Sequence, residues 1–132
     1  MSDPISPPAA RWPSEVAELI SLAVSDGDLG AAVAQYERGA VLRPWADNRA
    51  DGTVHMNMTK IMYLRLPLDT RLLAELNADG VTMLVCERRI EGVGPDGKPI
   101  RLSGTGCTVV RAQADGSWRI AVDAWWLADT PV

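Results

Sequence analysis

The chain has no phenylalanine, one histidine and two cysteines. Each shortage excludes something. A structural zinc site takes about four Cys or His ligands, more than these three residues supply. Nothing in the sequence calls for a metal or another cofactor. Two cysteines are too few for a disulfide scaffold, so Cys86 and Cys107 read as buried thiols in a reducing, cytoplasmic setting. No stretch approaches the roughly 20 apolar residues of a membrane span. No basic flank precedes an apolar run at the N-terminus, so no signal peptide is expected. There is no basic run, and the net charge is -4. Nucleic acid is therefore not an expected partner, because phosphate binding needs a basic face.

What remains is an ordinary globular mix of 47% apolar and 23% charged residues. A chain of 132 residues suffices for one domain with a real core. Five tryptophans carry the aromatic bulk in place of phenylalanine. Residues 1–13, "MSDPISPPAARWP", hold four prolines and no periodic pattern. They read as a flexible tail, disordered or loosely docked, ahead of a single domain over 14–132.

Val16, Leu19, Ile20, Ala23 and Val24 recur at helical spacing behind a capping Ser14. "SDGD" ends that helix. Asp28 caps a second one, with Leu29, Ala32, Val33 and Tyr36 on one face, and Gly39 closes it. "AVLRP" follows as a short strand stopped by Pro44, then a polar loop over 45–52. Residues 53–66 fit a helix through Val54, Met58, Ile61 and Met62, although β-branched residues leave helix or strand open. Four strands follow: "TRLLAEL", "VTMLVCERRIEG", "PIRLSGTGCTVVRAQ" and the stretch opened by "DGSW". "NADG", "PDGK" and "ADGS" are the turns between them. Gly104 and Gly106 allow a bulge or strong bend. Helices before hairpin-linked strands predict an α+β layer fold with an antiparallel sheet. In "VTMLVC" both alternating sets are apolar, so both sheet faces need cover. Helices cover one. A second subunit covers the other, or the N-terminal tail does.

Two segments resemble the SnoaL-like, ketosteroid-isomerase-like branch of the nuclear transport factor 2-like superfamily. "DGDLGAAVAQYERGAVLRP" is similar to the family's "gD…aal..ly..dAv…P". "PDGKPIRLSGTGCTVVRAQADGSWRIAVDAW" is similar to its closing hairpin. The resemblance covers roughly residues 14–126. It implies a cone: a curved antiparallel sheet wrapped around the N-terminal helices (cystatin-like), with a pocket at one end. It also implies a homodimer through the outer face of the sheet. It does not extend to the ketosteroid isomerase mechanism. That mechanism needs an acid base, an oxyanion tyrosine and a protonated Asp. The matching positions hold Leu42 and Arg43, Ile20, and an acid-free "GCTVV".

The resemblance assigns Tyr36 to the pocket's hydrogen-bond network, against a plain core aromatic. On the last strand, Trp118, Ile120, Val122, Ala124 and Trp126 share one face, and Arg119, Ala121, Asp123 and Trp125 the other. The family comparison turns the second set inward. Asp123 is then a candidate acid or base in an apolar cavity, with Trp125 beside it. His55 is a second catalytic candidate, because imidazole titrates near neutrality. Trp45 is a candidate for the mouth of the cone. Arg43 can hold a carboxylate or sit at the surface. Arg88 and Arg89, with Glu87 and Glu91, read as cross-strand surface pairs. Lys60 and Tyr63 have no assigned place.

The expected function is a pocket protein for a small, mainly apolar ligand. As an enzyme it would do acid/base chemistry on a carbonyl-containing or polycyclic substrate through Asp123 with His55 or Tyr36. The alternative is a non-catalytic ligand-binding or dimeric assembly module. The enzyme needs Asp123 and another titratable group within about 4 Å of one point in the cavity. An Asp123 salt-bridged away, or a cavity filled by Met and Trp, favours the alternative.

Overall fold

A computed structural model describes residues 7–45 and 52–127. Helix α1 (Glu15–Asp26) buries Val16, Ile20, Ala23 and Val24, the stripe its spacing predicts. Gly27 ends it at φ 71, a left-handed turn that favours glycine. Ser14 precedes it without a capping bond from its side chain.

Asp28 does cap α2 (Leu29–Val33), with its Oδ1 accepting the Ala31 N–H at 3.0 Å. This helix stops at Val33, short of the Tyr36 and Gly39 expected to continue and close it. Tyr36 instead opens β1 (Tyr36–Arg43), paired with Ile120 of the last strand. The Ile120 N–H donates to the Gln35 carbonyl at 2.8 Å. Sheet pairing takes the backbone groups a longer helix would have used, and tertiary contact overrides local propensity. Gly39, at φ 80, sits within the irregular part of β1 rather than ending a helix.

Residues 53–66 begin as α3 (Val54–Met62), capped by Thr53 and burying Asn57, Met58 and Ile61. Then come β2 (Leu68–Ala78), β3 (Val81–Val93), β4 (Pro99–Ala112) and β5 (Trp118–Ala124). They form one curved sheet in the order β1-β5-β4-β3-β2. The four hairpin-linked strands pair antiparallel, as expected, and β1, which enters from the helical layer, runs parallel to β5. The β3–β4 ladder is unbroken from Val81 opposite Arg111 to Val93 opposite Pro99. Of the bulge or strong bend that Gly104 and Gly106 allow, no bulge interrupts this ladder. Register shifts lie instead at Leu73 of β2 and Ala121 of β5, each an extra residue against its partner strand.

The helices pack on the concave side. Val16, Ile20, Met58 and Ile61 meet Leu84, Cys86, Ile90, Val110 and Ile120 in one core. Strand β3 alternates strictly, with Thr82, Leu84, Cys86, Arg88 and Ile90 buried. Of the expected tail, residues 7–13 are docked on the domain rather than free. Ala10 is fully buried, and its carbonyl accepts the Trp118 N–H at 2.9 Å. Gln35 Nε2 donates to the Pro8 carbonyl at 2.8 Å. Residues 1–6 of the expected tail lie outside the described residues. Both cysteines are free. Val85 faces Cys107 and Cys86 faces Gly106, so neighbouring positions send the two thiols to opposite faces. No helix among the described residues is long and apolar enough to cross a membrane.

Candidate functional site

The extra residue at Ala121 decides what β5 presents to the interior. Before it Ile120 points inward, and after it Asp123 does. Val122 lies outside, 49% exposed. The single Trp118/Ile120/Val122 face expected from strict alternation is therefore split. Asp123 stands opposite Thr108 on one side and Leu42 on the other.

Asp123 is fully enclosed, and donors meet both of its oxygens. Oδ1 accepts the Thr108 hydroxyl at 2.7 Å. Oδ2 accepts the Tyr36 hydroxyl at 2.6 Å and the Trp125 indole N–H at 2.9 Å. Arg88 completes the cluster. Its Nη2 donates to Thr108 Oγ1 at 2.7 Å and lies 3.8 Å from Asp123 Oδ1. Its guanidinium carbon sits 5.2 Å from the centroid of the Trp125 ring, within reach of a cation–π contact.

Arg88 is thus not the surface residue expected. It is 2% exposed, in the inward phase of Leu84, Cys86 and Ile90. Its sequence neighbours do pair at the surface: Glu87 with Arg71 at 3.4 Å, Arg89 with Asp69 at 3.7 Å, and Glu91 with Arg101 at 3.9 Å. The Nε and Nη1 atoms of Arg88 are buried and meet no acceptor among the described residues.

Tryptophans close this cluster. The Trp126 indole N–H donates to the Arg88 carbonyl at 3.2 Å. Trp45 stacks on Trp126 at 5.7 Å between centroids, and Trp125 meets Trp126 edge-on at 6.0 Å. Trp45 and Trp125 therefore belong to one aromatic group. His55 is not brought to Asp123. It lies exposed in the first turn of α3, where it shares with Tyr36 the lining of a separate hollow of about 460 Å³. Arg43 ends β1, and its carbonyl accepts the Trp125 N–H at 3.1 Å. Lys60, in the last turn of α3, and Tyr63, its C-cap, are exposed.

Burial pushes the Tyr36 phenol well above its ordinary pKa, and the Asp123 charge and hydrogen bond push it the same way. Burial likewise raises Cys86, partly offset by Arg88. A raised folded-state pKa makes the neutral phenol a source of stability. That stability is complete below the unfolded value near 10 and is lost as pH rises toward the folded value. With only two tyrosines in the chain, Tyr63→Phe leaves Tyr36 as the sole reporter. Its phenolate absorbance is expected to appear together with the loss of near-ultraviolet circular dichroism. Phenolate formed while that dichroism is still native would show that Tyr36 is not enclosed.

Neither a family model nor a curated protein matches the sequence. Solved structures do match its fold. A protein from Thiobacillus denitrificans, described as a calcium/calmodulin-dependent protein kinase type II association domain, superimposes with TM-score 0.70 at 18% identity, over 89% of this chain and 95% of that one. A ketosteroid isomerase-like protein from Erwinia carotovora atroseptica gives 0.69 at 14%, over 84% and 89%. An NTF-2-like protein of unknown function from Shewanella oneidensis gives 0.66 at 14%, over 83% and 92%. The fold is the NTF-2-like α+β cone, as the sequence resemblance implied.

Proposed function

We propose that this protein is a non-catalytic binding module that holds a small, mainly apolar ligand at the tryptophan-lined end of the cone. One observation carries the reading. A polar cluster, Tyr36–Asp123–Thr108–Arg88, lies buried in an apolar interior against Trp125 and Trp126, with Trp45 stacked on Trp126. Sites for small ligands combine apolar walls with a few convergent polar groups in this way. In this reading Asp123 is a counter-ion and an orienting group, because three donors occupy its oxygens. Acid/base work by Asp123 with Tyr36 or His55 is the second reading. It requires a ligand to displace Tyr36 or Trp125 from Oδ2. The two free thiols favour a reducing compartment, the cytoplasm.

Native mass spectrometry of protein purified from cells tests the binding reading. A non-covalent adduct that disappears on denaturation is expected, together with a change in tryptophan emission when 1-tetralone is added. An adduct-free protein whose emission no apolar compound moves would end it.

The outer face of the sheet supports pairing with a second copy. Val41, Val122, Val109, Met83 and Leu76 stand in register across all five strands. All but Val109 are at least 40% exposed. A contiguous apolar row of this kind marks an interaction surface. Met83, near its middle, is the position to change. Met83→Glu is expected to convert a dimer to monomer in light scattering without lowering the melting temperature of the monomer. A wild-type chain that is monomeric at high micromolar concentration would remove this part of the reading.

A further inference from the structure

Strand β2 is an edge of the sheet, with a strand neighbour on one side only. We propose that its first half, Leu68–Leu72, takes up an extended segment of a partner protein as a further strand. The segment is apolar at alternate residues and flanked by lysine or arginine. This surface lies outside the interior of the cone, and the inference does not depend on the binding reading above.

Every second residue of an edge strand turns its N–H and C=O outward, where another strand can meet them. At Leu68 the N–H is already met: it donates to Ser25 Oγ of α1 at 3.2 Å. From Asp69 to Ala78, no bond from outside the β2–β3 ladder reaches the strand's backbone among the described residues. Natural edges are guarded by proline, charge and bulges. Here Pro67 precedes the strand and the bulge at Leu73 interrupts it. Between them lies a regular stretch about 17 Å long. These guards oppose a long pairing of two edges and leave room for a short segment.

A groove of about 480 Å³ lies beside that stretch, between β2 and α1. Leu72 and Leu22 line it, 44% and 60% exposed. Ser21, on its α1 wall, donates from Oγ to Thr70 Oγ1 at 2.7 Å and ties the wall to the strand. An added strand would set alternate side chains into this groove against the two leucines. Its other side chains would lie beside Asp69 and Arg71 on the outer face, opposite Arg89 and Glu87 of β3, where polar groups fit.

Charge selects the flanks. Glu18 lines the groove and has no cation partner among the described residues. Glu75, in the same inward phase as Leu72, accepts from Asn77 Nδ2 at 3.4 Å and meets no cation among those residues. The nearby cations Arg71 and Arg89 are already paired with Glu87 and Asp69. The unbalanced charge along the edge is negative, so its complement is basic. A second copy of β2 would bring the same glutamates and match less well.

The probe is the acetylated, amidated peptide KTVTVTK. Its alternation puts the valines and lysines on one face, and it reads the same in both directions. Amide resonances of the full chain follow binding. Shifts are expected at Leu22, Thr70 and Leu72, with added protection of the β2 amides from hydrogen exchange. The charge-reversed peptide ETVTVTE should bind about fivefold more weakly, the upper end for an exposed ion pair. Glu18→Lys, at an exposed position, should narrow or reverse that preference. N-methylation distinguishes strand addition from other contact. One alternate set of peptide N–H groups faces β2 and the other faces away. Methylating the valines or the threonines should therefore abolish binding in one case and spare it in the other.

Unmoved Thr70 and Leu72 amides at millimolar peptide overturn the inference. So does equal binding of the two charge forms, or an equal effect of the two methylation patterns. Protection of the β2 amides that rises with protein concentration alone would give the edge to a second copy, which also overturns it. Each of these outcomes leaves the interior binding reading standing.

Discussion

Asp123→Ala is expected to destabilise the protein by about 3–5 kcal/mol, because it strands Arg88 as an uncompensated charge in the interior. In a chain of this length that is a fall of roughly 10–20 °C in melting temperature. The loss would exceed anything expected from the surface pairs, Arg71–Glu87 or Arg89–Asp69, each worth well under about 1 kcal/mol. The size follows from the arrangement. Three neutral donors and a guanidinium converge on one carboxylate with no solvent access. Removing the acceptor leaves Thr108, Tyr36 and Trp125 without their common partner as well as stranding Arg88. Thr108→Val removes only the relay hydroxyl and is expected to cost about 1–3 kcal/mol. The double variant Asp123→Asn, Arg88→Met removes both charges and keeps the volume. It should recover much of the loss, since a buried pair replaced by uncharged groups of similar size is often neutral. Urea denaturation of the wild type, Asp123→Asn, Arg88→Met and the double variant forms the cycle that isolates the coupling. A loss below about 1 kcal/mol for Asp123→Ala, or a double variant as unstable as the sum of the singles, would show that the two charges are not coupled.

The same cluster shows what the sequence made legible and what it hid. The last strand and its turn were readable, because "ADGSWRI" combines a turn with alternation, and the family resemblance turned Asp123 inward. The bulge at Ala121 was not readable. An extra alanine leaves no local mark, and it is seen only by counting β5 against β4. It moved Ile120 to the inner face together with Asp123. The signal for Arg88 was present and misread. Leu84, Cys86 and Ile90 are in one phase of β3, and Arg88 occupies the fourth place in that phase. Charge argued for the surface, but register argued for the core, and register prevailed because Asp123 lies within reach to balance it. His55 failed for the opposite reason. Its chemistry suited a site, but α3 places it on an exposed turn. The α2–β1 boundary was hidden because the partner that makes Tyr36 a strand residue lies 84 positions away, at Ile120.

Gly106→Ala is the second large effect expected, and its cause is backbone rather than charge. A Cβ at this position would fall on the carbonyl oxygens of Ala124 and Trp125, far inside contact distance. Those atoms belong to the last residue of β5 and the one after it, where the chain is tied on both sides. The Trp125 N–H donates to the Arg43 carbonyl at 3.1 Å, and the Leu127 N–H to the Thr105 carbonyl at 3.0 Å. A flexible side chain could move aside, but a backbone held between β1 and β4 cannot. Overpacking of this kind costs typically about 1–3 kcal/mol and sometimes more, and here the upper end or beyond is expected. Gly116→Ala provides the control. That glycine has φ 86 with no atom near its absent Cβ, so only backbone strain of about 1–2 kcal/mol applies. The two variants should also differ in kind. Displacing the Trp125 backbone pulls its indole from Asp123 and its ring from Arg88. Gly106→Ala should therefore lose near-ultraviolet tryptophan dichroism under conditions where Gly116→Ala keeps it. Equal stability and equal dichroism in the two variants would mean that the crossing over Gly106 can open. The polar cluster would then not depend on where the strand end lies.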